Sequence, residues 1–185
     1  MILPITAFGD PVLKKVSTNI DSDYPNLKTL IANMWETMYK ANGVGLAAPQ
    51  VGLPIRLFVV DSTPMYEEDE TQKGIKKVFI NAQILEESGQ EWAYEEGCLS
   101  IPGIREDVYR KPNIKIQYLN ENFEEMTEAY FDMNARVIQH EYDHIQGILF
   151  TDHLKPLRKR LLQKNLQEIG KGQVKVSYKM KFPFR

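Results

Sequence analysis

Six residues in the last third of the chain constrain it more than any others: Gln139-His140-Glu141-Tyr142-Asp143-His144. Side chains four apart stand one turn above each other only on an α-helix, so this H-E-x-x-H pattern offers two imidazole nitrogens to a single ion. Glu141 lies about 100° round the helix from His140 by the 3.6-residue period, beside the ion and able to act as a base without ligating it. Asp132 is expected to cap the start of the helix and Gly147 to follow its end. The bland alternative is an amphipathic helix with two ordinary histidines, because short motifs also match by chance. The chain has three histidines, and two of them fall in this pattern.

Two imidazoles do not complete a catalytic metal site. The single cysteine, Cys98, sits in Tyr94-Glu95-Glu96-Gly97-Cys98-Leu99-Ser100. A lone cysteine is usually a small buried hydrophobe. Here it follows Gly97, which allows close backbone approach, and no other third ligand stands out. A thiolate with two imidazoles leaves a fourth position for water, the arrangement of a catalytic site. A third stretch, Gly43-Val44-Gly45-Leu46-Ala47-Ala48-Pro49-Gln50, is a glycine-rich turn with a carboxamide at its end. It lacks the spacing of a phosphate loop. By residue type alone it is a helix cap, with Gly43 as the capping residue, feeding a strand.

Residues 43–50, the E-G-C-L-S run at 96–100 and Q-H-E-x-D-H at 139–144 together resemble, in order and type, the three signature motifs of the peptide deformylases. The resemblance extends from Phe8-Gly9-Asp10-Pro11 to about Asp152. It implies a hydrolase that removes the N-formyl group from the N-terminal formylmethionine of nascent polypeptides and releases formate. Its metal ligands would be Cys98, His140 and His144, with Fe(II) as the physiological ion and zinc, nickel or cobalt able to substitute. Gln50 and the backbone N–H of Leu99 would face the developing oxyanion, and Glu141 would serve as base and then acid. Val44, Tyr94, Met133 and Val137 match positions lining the methionine pocket, with Gly45 and Gly97 beside the substrate and Arg105 near its backbone. Taken one by one, the pocket residues would pass as core packing and Arg105 as a surface charge. Asp143 and Arg110 are expected to pair behind the metal helix.

Along the chain, apolar residues at helical spacing (Leu27, Leu30, Ile31, Met34, Met38) predict a helix over 25–41. Strands are expected at 56–60, 77–85, 90–94, 104–109, 114–119 and 125–131. The acidic stretch 62–74, with Glu67, Glu68, Asp69 and Glu70, reads as a solvated insertion. Leu157, Leu161, Leu162, Leu166 and Ile169 mark another amphipathic helix closed by Gly170, and 174–180 alternates like a last strand. His153 reads as a surface or capping residue. Many short strands and an inward-facing metal helix imply one α+β domain over 1–185, with antiparallel or mixed sheets packed around a central metal-binding helix.

The net charge of −2 conceals an asymmetry, because residues 155–185 carry ten Lys/Arg and one acid, Glu168. A basic helix-strand segment on an acidic body can touch ribosomal RNA or be a solvated face. A single cysteine forms no internal disulfide, which suits the reducing cytoplasm. No apolar run is long enough to span a membrane, and 1–5 lacks the features of a signal peptide. Two rival readings share the motif: a zinc endopeptidase of H-E-x-x-H type, and a structural metal site in which Asp152 or His153 supplies a fourth ligand.

Overall fold

The computed structural model describes residues 1–66 and 73–184. Its centre is the strand Leu57–Asp61 (β3), and the reason is visible in its sequence. The strand Leu57–Asp61 reads LFVVD and is buried along its whole length, so both of its faces must be covered. Side chains alternate across a strand. Leu57 and Val59 pack with Ile31, Met34 and Met38 of the helix α1 (Leu27–Lys40). Phe58 and Val60 point the other way, into a cluster with Ala135, Val137, Ile138 and Ile145 of the helix α2 (Asp132–Ile145).

Around that axis, β1 is Ile5–Thr6, β2 Gly45–Ala47, β4 Lys76–Ser88, β5 Trp92–Cys98, β6 Ile101–Arg110, β7 Asn113–Leu119, β8 Glu125–Phe131 and β9 Met180–Lys181; α3 is Pro156–Gly170. A five-stranded antiparallel sheet runs in the order β2-β3-β4-β7-β8. The β5–β6 hairpin stands apart from it, and β1 pairs in parallel with β9. A third core cluster joins Ile101, Ile104 and Val108 of the hairpin to Phe150 and to Leu162, Leu166 and Ile169 of α3. The architecture is the expected α+β class, with α2 packed against β2, β3 and β8. No described helix is long and apolar enough to cross a membrane.

Several expectations are corrected. The stretch 43–50 is a short edge strand followed by a 3-10 turn, Ala48–Val51, because Gly45–Ala47 finds ladder partners in β3. Asn42, not Gly43, takes the left-handed position after α1, and the Gly43 N–H bonds to the Met38 carbonyl at 2.9 Å. Asp132 does not cap α2. It is the first helical residue, with φ 49°, and its backbone N–H donates to Pro112 at 2.8 Å. α3 does end at Gly170, but as a helical residue where Phe184 and the Phe8 carbonyl leave no room for a Cβ, and Gly172 rather than Gly170 takes the left-handed turn. Leu157 and Leu161 are exposed, outside the buried stripe of α3. Of the final alternating stretch 174–180 only Met180 lies in a strand, the two-residue Met180–Lys181. The acidic residues 67–70 lie outside the described residues, but Ser62 at the base of that insertion is buried and bonds to Asn134 at the start of α2.

Gly147 behaves as expected. With φ 73°, it lets the Ile148 N–H reach the Asp143 carbonyl at 2.9 Å, closing the last turn of α2. A Cβ there would also sit 2.6 Å from the Lys14 carbonyl oxygen. Gly147→Ala is expected to cost about 2–4 kcal/mol from the left-handed backbone and the clash together. Urea denaturation measures it, and a loss under about 0.5 kcal/mol would show that the turn relaxes freely.

Candidate metal centre and substrate cleft

Helix α2 presents His140 and His144 one turn apart on the side facing the β5–β6 hairpin. Cys98 ends β5, where a register shift between Gly97 and Cys98 brings it opposite Ile101. The ligand atoms of Cys98, His140 and His144 all lie within 4.8 Å of one another, and Cys98 Sγ is 3.4 Å from His144 Nε2. Burial alone would raise the Cys98 pKa, but the His144 charge and hydrogen bonding from the imidazoles outweigh it and bring it down to about 5. That lowering favours the thiolate form, which a metal ligand needs.

His140 Nδ1 lies 2.9 Å from Glu96 Oε2, which leaves Nε2 as the nitrogen that could ligate. Two more donors close on Glu96. Arg110 binds it through Nε at 2.7 Å and Nη2 at 3.0 Å, and Arg136 Nη1 at 3.0 Å. Burial favours the neutral acid, yet these donors hold the Glu96 carboxyl far below the usual carboxylate range. Arg136 continues to the carbonyls of Val108 and Trp92, both at 2.8 Å, so this one carboxylate ties α2 to both strands of the hairpin. The expected Arg110–Asp143 pair is present at 2.8 Å. Glu96 and Arg136 had no expected role. The available signal for Glu96 was strand parity, since residues 96 and 98 face the same side.

Glu141 is buried, and its Oε2 has no hydrogen-bond partner among the described residues, nor does His144 Nδ1. Burial raises the Glu141 pKa to about 7 against the pull of the two imidazoles, a value matched to proton transfer at neutral pH. Gln50 is fixed by the 3-10 turn: its Oε1 accepts from the Ala47 N–H at 2.9 Å, and its Nε2 stands 3.4 Å from Cys98 Sγ and 3.3 Å from Ser100 Oγ. A soft sulfur, two imidazole nitrogens and a buried carboxylate with one unsatisfied oxygen around one space fit a divalent ion with one position left for a reactant. Asp152 engages Lys14 and His153 engages Asp143 at 2.7 Å. Both are therefore committed elsewhere, against the structural-site reading; His153 is exposed, as expected, and partners the Asp143 carboxylate.

Cys98 and His140 open onto a cleft of about 630 Å³, with His144 buried behind them. Val44, Gly45, Leu99, Tyr94, Gly97, Met133 and Val137 line it, together with Gln50 and Glu141. Arg105 reaches its rim but is held by Glu95, through Nε at 3.1 Å and Nη2 to the carbonyl at 2.9 Å. Two residues unforeseen as parts of the site, Met65 and Tyr178, also face the cleft.

Residues 2–160 match the family model described as polypeptide deformylase. The chain belongs to the polypeptide deformylase family. It is an enzyme, and its reaction is removal of the formyl group from nascent peptides. It is 59% identical to a peptide deformylase of Christiangramia forsetii over 99% of this chain and 97% of the relative. One from Flavobacterium johnsoniae is 58% identical over 98% and 96%. The crystal structure of a plant peptide deformylase, PDF1B, superposes with a TM-score of 0.82 at 36% identity, covering 92% of this chain and 90% of that one.

Membership gives Gly45 a specific expectation. A Cβ built there would lie 2.3 Å from Glu141 Oε1. Gly45→Ala is expected to push that carboxylate aside and slow formate release about 10²-fold, the scale of a 1 Å misplacement. Steady-state kinetics with metal content measured in parallel checks it; unchanged kcat would mean that Glu141 has room to move without consequence.

Proposed function

We propose that the chain hydrolyses the N-formyl group of N-terminal formylmethionine in the cytoplasm, as one catalytic domain spanning 1–185, with Cys98, His140 and His144 holding one divalent ion, physiologically Fe(II). The convergence of a thiolate and two imidazoles within 4.8 Å, beside the Glu141 carboxylate, is the observation that carries this reading. When bound, the ion supplies a Lewis acid that polarises the formyl oxygen and makes water acidic enough to react near neutral pH.

The chain's own residues do the rest. Val44, Tyr94, Met133 and Val137 form an apolar slot that takes the methionine side chain. Gly45 and Gly97 let the peptide backbone approach closely, and Arg105 at the rim meets its polar groups. Gln50 Nε2 and the Leu99 N–H donate to the oxygen on which negative charge develops, so they act more strongly on the transition state than on the substrate. Glu141 accepts a proton from the attacking water at a carboxylate oxygen. It then delivers that proton to the departing amine, which leaves as the free methionine N-terminus while formate is released. The basic segment 155–185 is proposed to face ribosomal RNA, with Lys155 exposed just before α3 and Arg160 exposed on it.

The test is formate release from formyl-Met-Ala-Ser by anaerobically purified protein, with elemental analysis of its metal. Formate is expected at one metal per chain, with no internal cleavage of casein. Chelation is expected to abolish turnover, and Fe(II) or Ni(II) to restore it. Metal-loaded protein that releases no formate, or that cuts casein, defeats the reading.

A further inference from the structure

We propose that Tyr178, brought in by the C-terminal segment, is a positioning residue that holds the Leu99 corner so that its backbone N–H stays aimed at the developing oxyanion. The proposal rests on the reading of Leu99 as an oxyanion donor given above. Cys98 pairs with Ile101, so Leu99 and Ser100 form the two-residue turn of the hairpin, beyond the ladder that fixes β5 and β6. Other contacts must hold this corner.

On Ser100, the hydroxyl faces Gln50 Nε2 at 3.3 Å, and the carbonyl accepts from the Phe8 N–H at 2.9 Å. The Leu99 side chain is wedged against Gly43, where a Cβ would meet Leu99 Cδ1 at 2.8 Å. The backbone of Leu99 is gripped by Tyr178, whose hydroxyl donates to the Leu99 carbonyl at 2.8 Å. Peptide units are rigid planes joined by two soft dihedrals. The Leu99 N–H lies in the plane shared with Cys98, and its carbonyl lies in the plane shared with Ser100. Holding the second plane restrains the Leu99 backbone and so limits how far the first can turn away.

The placement of Tyr178 is built into the fold. Met180 pairs with Ile5, and the Lys179 carbonyl accepts from the Ile5 N–H at 2.8 Å, so the residues next to Tyr178 are tied to β1. Alternation turns Val176, Tyr178 and Met180 inward and Ser177 and Lys179 outward. Lys175, Val176, Ser177 and Tyr178 all line the cleft. The family match ends at residue 160, so this contact comes from a segment beyond the matched region.

Tyr178→Phe removes the hydroxyl and keeps the ring. In zinc-loaded protein, NMR relaxation is expected to show the Leu99 amide order parameter falling below the rigid value of about 0.85. With formyl-Met-Ala-Ser, kcat is expected to fall about 10-fold while KM stays within about twofold, because the donor acts on the transition state. An unchanged Leu99 order parameter overturns the proposal whatever the kinetics. So does a looser Leu99 with unchanged kcat, or a raised KM at constant kcat, which would make Tyr178 a wall of the cleft only. Wild-type protein that releases no formate would instead defeat the functional reading, and the relaxation comparison would still judge whether Tyr178 orders Leu99.

Discussion

Glu141→Ala is expected to lower kcat for formyl-Met-Ala-Ser by about 10³-fold or more, within the range for removing a positioned acid–base group, while the protein keeps one metal per chain. The two halves of that expectation come from different features. Glu141 shares the ion's space but is not one of the three converging ligand side chains, so its loss leaves the donor set whole. Its carboxyl is buried with one oxygen unpartnered and its pKa is raised to about 7, so a proton can be both taken and returned near neutral pH. The buried oxygen that lacks a partner also disappears in the variant, so folding stability is not expected to fall in step with activity. Single-turnover formate release alongside elemental analysis separates the halves. Loss of metal together with activity would make Glu141 a ligand, and retained turnover would remove it from the chemistry.

Glu96→Ala is expected to be the most damaging substitution for the fold. The carboxylate is 4% exposed and is the meeting point of Arg110, Arg136 and His140. Removing it leaves two guanidinium groups buried with their shared counter-charge gone, at a cost of about 3–5 kcal/mol. For a chain of this size that lowers Tm by roughly 10 °C. His140 also loses the acceptor that fixes its ring, so metal affinity is expected to weaken about 10–100-fold. Glu96→Gln retains the shape and one acceptor oxygen and should fall between the two. Thermal denaturation of metal-free and metal-loaded protein distinguishes the effects. A variant whose Tm stays within about 2 °C of wild type would show that Arg110 and Arg136 find other partners, Asp143 being the nearest to Arg110.

The convergence of Cys98, His140 and His144 was legible because its logic is local. Histidines four apart need only a helix to meet, and the single cysteine left little choice for a third ligand. The strands were legible for the same reason, since 57–61 and 114–119 announce themselves by short-range pattern. Capping was less so. Asp132 and Gly43 carry the right residue types for their expected positions, but the chain enters α2 through a left-handed Asp132 tied to Pro112, and Asn42 supplies the turn after α1. Neither arrangement can be weighed without knowing where the neighbouring segments lie.

The sequence by itself determined which side chains could share an ion and which segments had to be buried, because helical and strand periodicity act over a few residues. Only the tertiary structure decided what holds those side chains still. Glu96 binds guanidinium groups from positions 110 and 136, and Tyr178 reaches a carbonyl 79 residues away in the chain. Contacts at such separations follow from how sheets and helices stack, and no pattern within one segment encodes the partner.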